Sequence, residues 1–343
     1  MTAGRFVGTL EGVAHDVPPV WCMRQAGRYQ QSYQALRQRH TFEDLCRDPD
    51  LSAQVARNAV EEFDFDAAIL FSDLLFHLDA IGLGVQYDDG GPRLARRLDE
   101  TMLPHLPSVD EAAARLEFQA EAVAATRRVL LDTTGLIGFV GGPWTLFVYA
   151  IEGTHAGSLM RAKAALPLYR RFADLMVPLL ARTARAQLDA GADVVMVLDT
   201  AAGEVSPDVF RRFLAPDLKA LAQAVPDQLG YYARAFHPAH FGDAPGQFGP
   251  WAGVGFDWRW HLPDVLAGPA RRGFVQGNFD PALLAQLSGD DLRDAILRFL
   301  EPIAALSSDA RRGWICGLGH GILPATPEAN VRQFVHVVRD HLG

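Results

Sequence analysis

DVVMVLDT, residues 193–200, sets five consecutive apolar side chains, Val194 to Leu198, between Asp193 and Asp199. The run does not alternate, so it reads as a strand buried on both faces, the habit of a parallel sheet covered by helices. Seven other short runs share the character: VWCMR (20–24), AAILFSD (67–73), LIGFVGG (136–142), LGYYAR (229–234), AGVGFDW (252–258), GFVQGNFD (273–280) and WICGLGH (314–320). Helical stretches fill the gaps. Ser108 with Glu111 and Thr41 with Asp44 are capping-box signals, and Thr326 followed by Pro327 is expected as the cap and first-turn proline of the last helix. Eight strands alternating with helices predict an α/β protein, a (β/α)8 TIM barrel in one domain over 1–343 with a short N-terminal arm at 1–18.

In such a barrel the reactive groups gather at the C-terminal ends of the strands. The ends of the eight runs are Arg24, Asp73, Gly142 with Pro143, Asp199 with Thr200, Arg234, Asp257, Asn278 with Asp280, and His320. A buried strand becomes polar on reaching the surface in any case, but the repetition at one end predicts a lined site.

Composition removes whole classes of function. The 343 residues are 49% hydrophobic and 21% charged, which is ordinary for a folded domain. A net charge of −9 repels nucleic acid and anionic membranes over most of the surface, so neither is an expected partner. The N-terminus lacks a charged start followed by an apolar run, and no stretch of about 18 uncharged apolar residues occurs, which predicts a cytoplasmic location. Cys22, Cys46 and Cys316 lie far apart, form no CxxC, and read as core thiols.

Two arginines, Arg24 and Arg28, flank Gln25, Ala26 and Gly27 where the first run meets the following helix. Their planar forks suit several carboxylates or phosphates, or merely surface ion pairs. GGPWT at 141–145 lacks the lysine and spacing of a phosphate loop, and no GxGxxG opens a helix, so nucleotide binding is not expected. Asp73 ends an otherwise apolar strand. It can cap the next helix, or stand as a fixed negative charge able to stabilise a developing cation.

Several separated segments, MRQAGRY (23–29), ILFSD (69–73), GGPWTLFVYAIEG (141–153), DTAAG (199–203), GFDW (255–258), QGNFDP (276–281) and GLGHGI (317–322), resemble the signatures of the uroporphyrinogen decarboxylase family, in the family's order from about residue 19 onward. The resemblance implies a homodimeric barrel that converts the four acetates of uroporphyrinogen III to methyls, giving coproporphyrinogen III, with no metal or organic cofactor. That implication agrees with the absence of any motif for an electron-accepting cofactor, since the substrate pyrrole, once protonated, can receive the electrons left by CO2. By position, Asp73, Arg24 and Tyr149 are implied to be catalytic. Arg24, Gln25, Ala26, Gly27, Arg28, Asp73, Tyr149, Thr200 and His320 are implied to bind the tetrapyrrole, with Tyr149 hydrogen-bonding near Asp73.

Two stretches depart from the family pattern: RAFHPAHFGDAPGQFGP at 234–250 replaces a Gly-rich segment, and EGTHAGS at 152–158 puts His155 where small residues are common. Rival readings are weaker. A zinc-dependent corrinoid or coenzyme M methyltransferase of the same superfamily needs a His-x-Cys that is absent. A metal hydrolase built on Asp73, His77, His237 and His240 lacks HExxH, and a non-catalytic tetrapyrrole-binding protein would not need Asp73.

Overall fold

The computed structural model describes residues 4–88, 91–155, 157–241, 249–268 and 273–343. Of the unusual 234–250 stretch, 242–248 therefore lie outside the described residues. Seven parallel strands form one curled sheet in the order β1 (Ala67–Ile69), β4 (Gly135–Gly141), β5 (Val194–Leu198), β6 (Leu229–Tyr232), β7 (Gly253–Gly255), β8 (Phe274–Gln276) and β9 (Trp314–Ile315). β4 through β9 are buried along their whole length, as the unalternating runs require. A separate antiparallel hairpin, β2 (Val85–Asp88) with β3 (Gly91–Leu94), was not expected from the sequence.

The eighth expected strand, 20–24, is a correction: only Val20 bridges, to Cys316 beyond β9. The chain leaves the sheet early because a turn begins at once, with Gln25 N donating to Cys22 O. That short segment still closes the barrel. Trp21 N donates to Cys316 O on one side, and on the other Asp66 N donates to Val20 O. The strand expected over 67–73 likewise stops at Ile69, although Leu70 N still donates to Ile137 O.

Both capping boxes form, at Thr41 with Asp44 and at Ser108 with Glu111. The chain after the Ser108 box forms two helices, Val109–Ala114 and Glu117–Val129, parted at Leu116. Thr326 is a second correction. The last helix is Glu328–Leu342 with the extended Pro327 as its cap, and this extra extended residue turns the Thr326 hydroxyl inward, where it is buried without a hydrogen bond.

Residues of the N-terminal arm close the bottom of the barrel. Phe6, on the helix Arg5–Leu10, packs against Gly135 at the start of β4, where a β-carbon would come within 2.2 Å of its ring. Arg5 donates to Asp66 at 3.0 Å, and Asp66 also accepts from Val20 N at 2.8 Å. At the opposite end, Asp199 accepts from the Thr145 N–H and hydroxyl at 2.9 and 2.7 Å, which fixes the first turn of the helix Pro143–Glu152. Gly142 is required there, because a β-carbon would lie 2.1 Å from the Asp199 carboxyl carbon.

Candidate active site

The arginine turn is held by its neighbours rather than by its own charges. Arg24 adopts φ 58, a left-handed conformation that costs a non-glycine residue and persists only where the surroundings impose it. Gln25 imposes part of it: its buried amide donates to Ala67 O at 2.9 Å, and its carbonyl accepts from the Tyr29 hydroxyl at 2.5 Å. The GHGI segment supplies the rest. Ile322 N donates to Met23 O, and Gly321 leaves the space that the Arg24 side chain fills, since a β-carbon would meet Arg24 Cδ at 2.5 Å.

Arg24 and Arg28 are both exposed, and among the described residues neither enters an ion pair. Nearby arginines are committed differently: Arg259 donates to Asp257 at 2.6 Å, and Arg234 stands 3.8 Å from Glu204. Unpaired guanidinium groups at the mouth of a barrel are open to an anionic ligand. Gly27 adds room, because a methyl there would meet only Arg24 O at 3.6 Å. The Gln25 N–H is already spent within the turn, leaving Ala26 and Gly27 as the free donors.

Asp73 does not cap the next helix, whose cap is Leu75, but it orders the turn before it. Its Oδ1 accepts from Leu75 N at 2.8 Å, ordering the entry to the helix Phe76–Ala80. Burial raises its pKa, while the Leu75 N–H, the Tyr87 hydroxyl and the Arg24 charge each oppose the rise. Tyr87 comes from the hairpin and packs its ring against Phe42 at 4.8 Å and Phe76 at 5.6 Å. Nothing in the local pattern VQYD announced it.

The Arg24 charge also acts on Tyr149, His155, Tyr232 and His320, so these side chains share its field. Tyr149 feels Asp73 too, and burial with that carboxylate pushes its hydroxyl up to about 12. Its hydrogen-bond partner is not Asp73 but His155, at 2.5 Å from Nδ1. His320 stacks on Tyr232 at 5.8 Å, and the single Tyr232 hydroxyl proton serves either Gly319 O at 2.8 Å or, in the Nε2–H tautomer, His320 Nδ1 at 2.9 Å. Burial, then the charges of Arg24 and Arg234, lower the His320 pKa to about 3, so its ring is neutral at pH 7. Thr200 is half-buried at the end of β5. Arg28 stands apart from this group and acts on Tyr33 of the helix Gln31–Arg37.

Other singled-out residues serve the fold. Cys22, Cys46 and Cys316 are buried free thiols, Cys22 being pushed up to about 12 by desolvation. His77 bonds Leu74 O, and His240 bonds Val205 O and His237 O. Among the described residues no three His, Cys, Asp or Glu side chains are grouped to share a metal ion.

The uroporphyrinogen decarboxylase family model matches residues 1–341. The chain belongs to that family. A uroporphyrinogen decarboxylase from Solibacter usitatus is 35% identical, covering 98% of this chain and 97% of the relative. One from Anaeromyxobacter dehalogenans is also 35% identical, covering 97% of each. Among solved structures, a methyltransferase from Methanosarcina mazei superposes with a TM-score of 0.79 at 20% identity, covering 99% of this chain and 98% of its own. That likeness carries the barrel architecture. No helix among the described residues is long and apolar enough to cross a membrane. In this uroporphyrinogen decarboxylase family member, Tyr87 lies in the field of Asp73 and His155 bonds Tyr149, and of these two neighbours only His155 left a signal in the sequence, as a departure from the pattern.

Proposed function

We propose that this chain is a uroporphyrinogen decarboxylase, removing CO2 from the four acetates of uroporphyrinogen III to give coproporphyrinogen III. The observation that carries the reading is an unpaired arginine whose charge reaches a half-buried aspartate with a raised pKa: a polyanionic, transiently cationic ring needs both. Protonation of a pyrrole α-carbon makes the ring cationic, the C–C bond electrons flow into it as CO2 leaves, and the exocyclic carbon then takes a proton to become a methyl. Return of the α-proton restores the pyrrole.

Asp73 stabilises the cation. At about 4 Å in an effective dielectric near 20, a unit charge pair is worth roughly 4 kcal/mol, about a thousandfold in rate before any ground-state share is subtracted. Arg24 and Arg28 hold acetate and propionate carboxylates, helped by the Ala26 and Gly27 N–H groups, with Gln25 supporting the turn. Thr200 and His320 take further carboxylates, and Tyr149 faces the reacting side chain. An arginine cannot be deprotonated in a protein, so Arg24 orients rather than supplies a proton.

The working unit under this reading is a homodimer in the cytoplasm, which sedimentation and fractionation test. The reaction itself is tested by incubating purified, chelator-treated protein with uroporphyrinogen under anaerobic reducing conditions. Accumulation of coproporphyrinogen supports the assignment; binding without loss of CO2 makes the chain a tetrapyrrole carrier instead.

A further inference from the structure

Each acetate converted to a methyl consumes one proton from outside, because R–CH2–CO2⁻ plus H⁺ becomes R–CH3 plus CO2. The surrounding groups supply it poorly. Arginines do not release protons, and a tyrosine hydroxyl in this setting is a weak acid alone. His320 is tied to Tyr232. One imidazole is differently placed.

Gly153 ends the helix Pro143–Glu152 in the left-handed conformation, φ 79, and the chain doubles back so that His155 meets Tyr149 on the last turn of that helix. The Tyr149 hydroxyl lies 2.5 Å from His155 Nδ1, with ring centroids 5.2 Å apart. His155 is only half-buried, so solvent reaches one side of the pair, while Tyr149 on the other side feels Asp73 and Arg24.

We propose that His155 supplies protons from solvent, through the Tyr149 hydroxyl, to the substrate carbon that has lost CO2. This rests on the decarboxylase reading above. In the resting state the Tyr149 O–H donates to Nδ1 of a neutral ring. When the imidazole takes a proton, Nδ1–H donates to the tyrosine oxygen instead. The Tyr149 hydroxyl then turns to the substrate, gives its proton to the exocyclic carbon and is refilled from Nδ1, without a free tyrosinate forming. Besides Asp73, the charged and titratable groups around the pair are Arg234 beyond β6, Arg24 on the arginine turn, Glu204 beyond β5, His320, and Arg97, which packs on Gly153 and donates to Tyr149 O at 3.5 Å. Burial and the charges of Arg234 and Arg24 keep the free ring neutral, Glu204 opposing them. A bound polycarboxylate cancels the arginine charges and favours the imidazolium when a proton is needed.

The test compares wild type, His155→Gly and His155→Gln on uroporphyrinogen. Wild-type turnover comes first: its failure sinks the decarboxylase reading, whereas the relay stands or falls on the variants alone. The relay predicts that both variants lose about a hundredfold in kcat, with KM within about threefold. It further predicts that free imidazole restores His155→Gly at least tenfold while leaving wild type unchanged. The wild-type fall in kcat at high pH, from loss of the imidazolium, should vanish in His155→Gln. Wild-type kcat in either folded variant, or a loss in folded His155→Gly that imidazole does not relieve, overturns the proposal. Should His155→Gly fail to fold, His155→Gln decides through kcat and its pH profile.

Discussion

At the scale of single residues, the site depends on which charges are left unpaired. Arg28 is exposed and without an ion pair among the described residues, so under the proposed function it is a binding residue rather than a reacting one. Arg28→Ala should therefore raise KM by about tenfold with kcat nearly unchanged. An unaltered KM would remove it from the binding surface. Arg24 is different, because its left-handed backbone and its path over Gly321 define where its fork points. Gly321→Ala puts a methyl 2.5 Å from Arg24 Cδ, so it should lower kcat/KM by at least tenfold while the protein stays folded. Wild-type kinetics in that variant would show that the position of Arg24 is not critical. Arg24 and Asp73 were legible as residues that end apolar runs. Tyr87 was not, since one aromatic on a short hairpin strand looks like any core residue.

At the scale of elements, β5 and its flanking turns act as the anchor for the helix that carries Tyr149. Asp199 is fully buried, and desolvation pushes its pKa up to about 6 from an ordinary 3.8, against hydrogen bonds from Thr145 and Tyr231. A folded value above the unfolded one means that the folded state binds this proton more tightly. The stability so gained is complete below about pH 4 and is lost as pH rises through about 6. Asp199→Asn keeps one acceptor for Thr145 and puts its amide opposite the Tyr231 oxygen, so the pH 4–6 slope of stability should flatten. An unchanged slope in denaturant titrations at several pH values would locate the effect elsewhere. The strands of the barrel were readable because burial on both faces leaves unbroken apolar runs. Their lengths were not, because polar turns such as those at Arg24 and Asp73 continue an apolar run without continuing its hydrogen bonds. Pro327 misled for a related reason: proline suits a helix cap as well as the first turn, and only the backbone decides.

At the scale of the whole molecule, a chain with net charge −9 that takes uroporphyrinogen as proposed must hold a polyanion against its own overall charge. The net charge repels a polyanion at long range while the two guanidinium groups attract it locally, so binding under the decarboxylase reading depends on short-range contacts near Arg24 and Arg28. Raising ionic strength from about 0.1 to about 1 M shortens the Debye length from about 10 to about 3 Å. KM should rise severalfold while kcat changes little; a KM independent of salt would mean that neutral contacts dominate binding. The barrel itself was visible from the count and spacing of runs. Its closure was not, because Val20 contributes a single bridge and the arm packs Phe6 beneath β4 through a glycine contact that no periodicity encodes.

All of the chemistry turns on whether the Asp73 carboxylate lowers the barrier to a cationic ring. Asp73→Asn keeps the shape and can still accept from Leu75 N, but it carries no charge. Rapid mixing of excess variant with uroporphyrinogen, followed by release of the first CO2 alongside a separate binding titration, reads that step directly. Retained binding with the first decarboxylation slowed about a thousandfold is the predicted result. A first turnover at the wild-type rate would contradict it.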